Sequence, residues 1–157
     1  MDVGARLGVE ELYETFEMLG LFEKTGVDLP GEASSIMHRA ENVGAVELAT
    51  ISFGQSFQIT PLQLLRAVSA IINGGTLVTP HLGMYVFNNA TMQEMVFEYP
   101  LYENVIAKET SDTMKELLGL VVSEGTGKNG QVTGFSVGGK TATSQKLPRS
   151  ERKYISS

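Results

Sequence analysis

The stretch Gly134-Phe-Ser-Val-Gly-Gly-Lys140-Thr141-Ala142-Thr143-Ser-Gln145 places one lysine among alternating small and β-prone residues. Phenylalanine, valine and threonine favour a pleated backbone, and two glycines directly before Lys140 leave no side chains beside it. This pattern predicts a strand with a cation at its start and an edge that a ligand can approach closely.

One chemistry that fits these letters is phosphate binding. Gly134, Gly139, Lys140 and Thr141 satisfy the pattern G-x-x-x-x-G-K-[ST] of nucleotide hydrolases. That loop needs an apolar strand before its first glycine and a helix that begins at the Lys-Thr pair. Residues 127–133 are too polar and glycine-rich for such a strand, and residues 144–153 predict no helix. A nucleotide hydrolase therefore remains an alternative, although the sequence predicts neither the strand before Gly134 nor the helix after Lys140 that its phosphate-binding loop requires.

The other chemistry treats Lys140-Thr141-Ala142-Thr143 as the Lys-Thr-Gly element of penicillin-recognising serine enzymes. A lysine at the head of an edge strand offers a fixed positive charge to an anionic substrate group. The N–H and C=O groups of the strand can then pair with an extended peptide.

Composition narrows the classes of function. The 157 residues carry a net charge of −6, which does not indicate a nucleic-acid or anionic-membrane surface. The chain has no cysteine, and His38 and His81 have no partner at the spacing of metal ligands, so we expect no metal site and no cofactor. It contains neither a run of about 20 apolar residues nor a signal-peptide core.

Hydrophobic periodicity predicts helices and strands in clusters. Helices are expected at Val9–Leu19, near Val46–Ile51, from Thr60-Pro61 to Ile72, and from a cap at Thr110 or Ser111 through Val122. Strands are expected at Thr76–Pro80, Met84–Phe87, Met92–Tyr99 and Lys153–Ser157. The third helix, with Leu62, Leu65, Val68, Ile71 and Ile72 on one side and Leu64 and Ala67 beside them, is expected to be buried on most sides.

This order of elements favours an α+β fold with antiparallel strands. The string Gly125-Thr-Gly-Lys-Asn-Gly130 spells G-x-G-x-x-G, but it follows a helix instead of joining a strand to one. It is therefore predicted to be a loop without a dinucleotide.

Four segments together carry a specific resemblance. They are Ile51-Ser-Phe-Gly-Gln-Ser-Phe-Gln-Ile-Thr-Pro-Leu-Gln-Leu64, Ile72-Asn-Gly-Gly-Thr-Leu-Val-Thr-Pro-His81, Gly125-Thr-Gly-Lys128 and Gly139-Lys-Thr-Ala-Thr-Ser-Gln145. In this order and spacing the chain resembles class B penicillin-binding proteins, the peptidoglycan D,D-transpeptidases, of the division and sporulation type of Gram-positive bacteria. The resemblance implies a penicillin-binding transpeptidase fold and runs from about Val3 to the last residue.

The resemblance also implies roles for four residues. Lys140 would hold the carboxylate of the substrate or of a β-lactam and support the proton network of the active site, and Thr141 follows it on the strand. Thr143 would offer its N–H to the oxyanion hole and its hydroxyl to the carboxylate. Ala142 stands where the family usually has glycine, and its methyl group narrows the space beside the strand.

The family's nucleophile motifs are not found in their expected places. There is no Ser-x-Asn, and the only Ser-x-x-Lys is Ser150-Glu-Arg-Lys153, in a basic turn after the Lys-Thr-Ala stretch. We therefore expect residues 1–157 to be a partial transpeptidase domain that lacks the nucleophile-bearing part and the closing C-terminal elements, and to be inactive alone. The alternative is a non-catalytic module for peptide or muropeptide binding, or for assembly.

The partners implied by the resemblance are a peptidoglycan stem peptide ending in D-Ala-D-Ala, or a β-lactam. The family works outside the cytoplasmic membrane on an N-terminal anchor, and no such anchor occurs in these residues. Apolar helix faces and strand edges without neighbours predict self-association of such a piece.

Overall fold

The computed structural model describes residues 2–145 and 154–156, and the chain divides into two units between Lys108 and Glu109. The first unit contains helices α1 (Asp2–Met18), α2 (Ala45–Ile51) and α3 (Pro61–Ile72), and four short strands. The second unit contains most of α4 (Lys108–Ser123) and the last two strands.

All strand pairs are antiparallel and two-stranded in the described residues. The strands are β1 (Leu77–Val78), β2 (Tyr85–Asn88), β3 (Gln93–Val96), β4 (Leu101–Tyr102), β5 (Thr143–Gln145) and β6 (Tyr154–Ser156). β1 pairs with β4, β2 with β3, and β5 with β6. The predicted α+β class is confirmed. β4 was not predicted, since two residues are too few to show a period.

The first helix begins earlier than its hydrophobic pattern predicts. The predicted segment starts at Val9, but helical backbone extends back to Asp2, with a break at Gly8, where φ is 84° and ψ is 173°. The helix ends before Gly20, which has a φ of 68°. Left-handed backbone of this kind is accessible to glycine at little cost, so both glycines mark the ends of the regular segment.

Helix α3 begins as its sequence predicts. The Thr60 hydroxyl accepts the Gln63 N–H at 3.1 Å, and the Gln63 side-chain oxygen accepts the Thr60 N–H at 2.8 Å. This reciprocal pair is a capping box, and Pro61 occupies the first helical position, where no N–H is needed.

The face that α3 buries differs from the prediction. Its buried residues are Gln63, Arg66, Ala67 and Ala70, whereas the side chains of Leu64 and Leu65 are 52% and 62% exposed. The two alanines let the helix approach a core formed with Leu19, Leu21 and Leu77. The expectation of burial on most sides is wrong for the described chain, because small side chains and polar anchors, not the leucines, face this core.

The two buried polar residues of α3 bind backbone carbonyls. The Gln63 side-chain amide donates to the carbonyl oxygens of Glu23 at 2.6 Å and of Leu21 at 3.4 Å. The Arg66 Nε donates to the Val78 carbonyl oxygen at 2.9 Å. These bonds satisfy polar groups that burial would otherwise leave without partners, and they join α3 to the segment after α1 and to β1.

The loop at Lys24–Glu32 is fixed by the carboxylate of Asp28. Asp28 accepts the N–H groups of Leu82 and Gly83 at 2.9 and 2.7 Å, and the Tyr99 hydroxyl at 3.0 Å. The same tyrosine ring stacks on His81 with a centroid distance of 4.0 Å. The loop is thereby joined to the turn that precedes β2.

Helix α4 begins before its predicted cap. Thr110 and Ser111 lie inside the helix, which starts at Lys108. Lysine and glutamate are good helix formers, and Glu109 in the first turn is favoured by the helix dipole, so the helix gains residues ahead of the expected cap. After Ser123 the chain passes through the predicted loop, which contains a 3-10 turn at Lys128–Gly130.

Candidate active site

The Lys140 segment lies in the second unit, directly before β5. Residues 137–142 belong to no helix or strand, and the strand begins only at Thr143. The predicted strand start at Lys140 is therefore wrong by three residues. The predicted strand near the end of the chain is confirmed as β6, which pairs Ser156 with Thr143.

Backbone contact with α4 fixes this segment. The Gly139 N–H donates to the Leu118 carbonyl oxygen at 3.1 Å. A β-carbon on Gly138 would lie 3.2 Å from the Leu118 Cβ and 3.4 Å from the Gly119 nitrogen, which is closer than side chains normally pack. Glycine at 138 thus allows the close approach of the segment to the helix, and any side chain there would need a small shift. At Gly139 the nearest atom would be an ordinary contact at 3.7 Å.

Lys140 is exposed, and its Nζ donates to the Thr141 carbonyl oxygen at 2.7 Å. Within residues 2–145 and 154–156, no carboxylate forms an ion pair with this lysine. A lysine ammonium has three donors, so this one keeps capacity for an anionic ligand.

A cavity of about 620 Å³ lies beside Lys140. Glycines of the loop after α4 and of the Lys140 segment line it, together with residues that carry side chains. These residues include Gly127, Gly130, Gly138, Gly139, Val122, Thr126, Asn129 and Thr141. The Thr126 and Thr141 hydroxyl oxygens are 3.1 Å apart, and either can donate. The cavity therefore presents one ammonium group, two linked hydroxyls and bare backbone, a combination that suits a carboxylate.

Thr126 is the residue to which sequence reasoning assigned no role. It occurs in the quoted Gly125-Thr-Gly-Lys128 segment, but nothing in its neighbours along the chain indicates a contact with Thr141, 15 residues later. Only the packing of the loop after α4 against the Lys140 segment reveals it.

The phosphate-loop alternative is contradicted by the structure. No helix begins at Lys140-Thr141, since extended backbone and then β5 follow. Gly134 lies in a turn with a φ of 85°, and no strand immediately precedes it in the described chain. The Gly125–Gly130 string consists of a turn and a 3-10 helix, which confirms the predicted loop.

The remaining predicted residues are placed as follows. Ser150 and the rest of the basic cluster at residues 146–153 lie outside the described residues. The His81 ring stacks on Tyr99, while His38 contributes its carbonyl oxygen to the Tyr13 hydroxyl at 2.8 Å. In the described residues there is no group of three or more His, Cys, Asp or Glu side chains that could hold a metal ion.

The model of the penicillin binding protein transpeptidase domain family matches residues 1–157. The chain belongs to this family. Residues 1–157 correspond to a segment of the transpeptidase domain, and the predicted resemblance to penicillin-binding proteins of the division and sporulation type is confirmed.

Characterised relatives agree with this assignment. The chain is 42% identical over 156 residues to the stage V sporulation protein D of Bacillus subtilis, covering 99% of this chain and 24% of the relative. It is 30% identical over 146 residues to the probable peptidoglycan D,D-transpeptidase PenA of Neisseria meningitidis, covering 92% of this chain and 23% of that protein. The chain thus spans about a quarter of the length of the curated relatives it matches.

Solved structures show the same fold. Penicillin binding protein 3 of Mycobacterium tuberculosis superposes with a TM-score of 0.86 at 27% identity, over 96% of this chain and 35% of that one. That protein has been crystallised with ampicillin and with aztreonam. The penicillin-binding transpeptidase fold predicted from the sequence is confirmed. In the described part of the chain, none of the helices combines the length and apolarity that a membrane crossing requires.

Proposed function

We propose that residues 1–157 form one wall of the active site of a peptidoglycan D,D-transpeptidase, and that the acylated serine belongs to another part of the longer protein. The observation that carries this proposal is the exposed Lys140 ammonium at a cavity of about 620 Å³, directly after two glycines. The sequence supports the second half of the proposal, because its sole Ser-x-x-Lys is at Ser150–Lys153 and it has no Ser-x-Asn.

In this proposal Lys140 binds the carboxylate of the substrate and contributes positive charge to the proton network around the nucleophile. The Thr141 hydroxyl, which lines the same cavity, adds a second donor to the carboxylate. The Thr143 N–H stabilises the developing oxyanion of the acyl-transfer transition state, and its hydroxyl binds the carboxylate. Ala142 adds a methyl group to the edge along which the substrate lies.

The proposed substrate is a stem peptide ending in D-Ala-D-Ala, and a β-lactam is the proposed inhibitor. An extended peptide can pair with the backbone of β5, and its terminal carboxylate then reaches Lys140, three residues before that strand. Crystals of penicillin binding protein 3 of Mycobacterium tuberculosis with ampicillin support binding of this class of ligand. We further propose that the longer protein acts outside the cytoplasmic membrane, where its substrate occurs.

A non-catalytic peptide- or muropeptide-binding module is the second candidate. The sequence has no Ser-x-Asn and only one Ser-x-x-Lys, at Ser150–Lys153, which favours this candidate. An ammonium group and a strand edge can bind a peptide without a nucleophile. Binding of a D-Ala-D-Ala peptide by the full-length protein, with neither acylation nor turnover, would establish this candidate and refute the transpeptidase.

Labelling with fluorescent penicillin, followed by mass spectrometry, tests the proposal. We expect an acyl adduct on the full-length protein and none on residues 1–157 alone. Lys140→Ala should slow acylation of the full-length protein by about ten- to a hundredfold, the value of one hydrogen bond to a charged group. Lys115→Ala is the matched control, because Lys115 lies on α4 in the same unit and pairs with Asp112.

The two halves of the proposal fail separately. An adduct within residues 1–157, with Ser150 the first place to look, would contradict the placement of the nucleophile outside this segment. Equal acylation of the Lys140→Ala and Lys115→Ala proteins would contradict the role of Lys140.

A further inference from the structure

The loop after α4 holds one threonine against the Lys140 segment. The Thr126 hydroxyl oxygen lies 3.1 Å from that of Thr141, and both residues line the cavity beside Lys140. Thr141 directly follows Lys140, whose ammonium group is proposed to bind the substrate carboxylate. A hydrogen bond between Thr126 and the Thr141 hydroxyl therefore affects which hydrogen bonds Thr141 can offer that carboxylate.

Backbone packing, not the side chain of Thr126, fixes the loop. The N–H groups of Gly125 and Gly127 donate to the carbonyl oxygens of Leu120 and Val121 at 3.0 and 2.9 Å. A β-carbon on Gly125 would lie 2.9 Å from the Val121 carbonyl oxygen, and one on Gly127 would lie 3.1 Å from it. The two glycines thus allow the loop to pack closely on the last turn of α4, and the hydrogen bonds that hold it there do not involve the Thr126 side chain.

The direction of this hydrogen bond decides what Thr141 can offer a ligand. A threonine hydroxyl has one hydrogen to donate and can accept with its lone pairs. If Thr141 donates to Thr126, it has no hydrogen left for an anion. If Thr126 donates instead, the Thr141 hydrogen is free to point into the cavity.

A carboxylate accepts hydrogen bonds and cannot donate them. A carboxylate bound beside Lys140 therefore selects the arrangement in which Thr126 donates to Thr141 and Thr141 donates to the ligand. Each bond in such a chain polarises the next, and the last one ends on a charged acceptor, which makes it stronger than a bond between neutral groups.

We propose that Thr126 is a positioning residue for substrate binding: its hydroxyl donates to Thr141 and thereby directs the Thr141 hydrogen toward the carboxylate of the substrate or β-lactam. This inference rests on the proposed function and assigns the Gly-Thr-Gly loop a part in recognising that carboxylate. Thr126 itself acts only through Thr141.

The test compares two β-lactams that differ only in the recognised group. The second-order rate constant of acylation is measured on the full-length protein with benzylpenicillin and with its methyl ester, which lacks the negative charge. Thr126→Val keeps the shape of the side chain and removes the donor, while Thr126→Ser keeps the donor. Thr133→Val is the control, since Thr133 is exposed in the same unit and outside the cavity that Lys140 lines.

Thr126→Val should lower the rate with benzylpenicillin by about three- to tenfold, the value of one hydrogen bond, and leave the rate with the ester unchanged. Thr126→Ser and Thr133→Val should react as the wild type does. In a double-mutant cycle, Thr126→Val should cost nothing further once Thr141→Val has removed the hydroxyl on which it acts.

Each other outcome overturns the inference. An unchanged rate with benzylpenicillin, an equal loss with both β-lactams, or losses that add in the Thr126→Val, Thr141→Val double variant would show that Thr126 does not act through Thr141 on the carboxylate. A wild-type protein that penicillin does not acylate would refute the proposed function itself, and this inference with it. Failure of Thr126→Ser to restore the rate would show a role for the methyl group instead of the hydroxyl.

Discussion

Replacement of Gly138 by alanine tests whether the Lys140 segment depends on direct contact with α4. The new β-carbon would lie 3.2 Å from the Leu118 Cβ and 3.3 Å from the Leu118 carbonyl carbon. Helix backbone cannot rotate away as a flexible side chain can, so the segment itself must shift by a few tenths of an ångström. That shift stretches the bond from the Gly139 N–H to the Leu118 carbonyl oxygen, which is 3.1 Å long in the native chain.

The expected loss of stability follows from three contributions. Overpacking costs about 1–3 kcal/mol, and weakening one backbone hydrogen bond costs about 1 kcal/mol or less. Alanine restricts the unfolded chain more than glycine does, which returns about 0.4–1 kcal/mol. The free energy of unfolding of the second unit should therefore fall by about 1–2 kcal/mol.

Amide hydrogen exchange measures this unit by itself, since the chain divides near Lys108 and a single unfolding curve need not report both parts. Protection of the Gly139 amide should drop by about five- to thirtyfold in Gly138→Ala. Gly130→Ala is the matched control, because a β-carbon there meets nothing within 4 Å. Equal protection in the two variants would refute the argument that the missing side chain of Gly138 allows the close approach.

Three further substitutions have defined outcomes. Gln63→Ala removes a buried side chain that caps α3 and donates to two carbonyl oxygens. The free energy of unfolding of the first unit should fall by about 2–4 kcal/mol. As a control, Gln93→Ala at the exposed start of β3 should change it by less than about 0.5 kcal/mol. Hydrogen bonds from the N–H groups of Gly83 and Leu82 hold the pKa of Asp28 below its ordinary value, so its contribution to stability is present above about pH 4 and is lost as pH falls through the folded pKa. Asp28→Asn should therefore flatten the fall in melting temperature between about pH 5 and pH 2, and an unchanged acid profile would contradict this. Gly119→Ala, inside α4 and with open space around its β-carbon, should raise the stability of the second unit by about 0.5–1 kcal/mol, measured by hydrogen exchange in α4.

Features that depend on near neighbours along the chain were predictable. Thr60-Pro61 with Gln63 three residues into the helix spells a capping box and an N-terminal proline, and the structure has both. Gly20, directly after the predicted helix Val9–Leu19, has the left-handed backbone that commonly ends a helix. The ordered segments from Ile51 to Gln145 also specify the family, because several short motifs at fixed separations are far more specific than any one of them.

Features that depend on which surfaces meet were not predictable. The period of α3 shows a broad apolar surface but cannot tell which side faces the core. In the structure Ala67 and Ala70 face inward, while Leu64 and Leu65 are exposed. The Lys140 segment lies against α4 instead of forming a strand, because the missing side chain of Gly138 allows backbone contact there.

The sequence by itself determined the start of α3, the α+β class and the family, because helix capping and the ordered motifs depend on residues that are close together along the chain. Tertiary structure alone decided which face of α3 is buried, that Gly138 lies against the backbone of α4, and that the Thr126 and Thr141 hydroxyls are in contact. The physical reason is that a contact between distant residues depends on how the intervening elements pack. Local composition does not show differences of a few tenths of an ångström in the distances between packed elements.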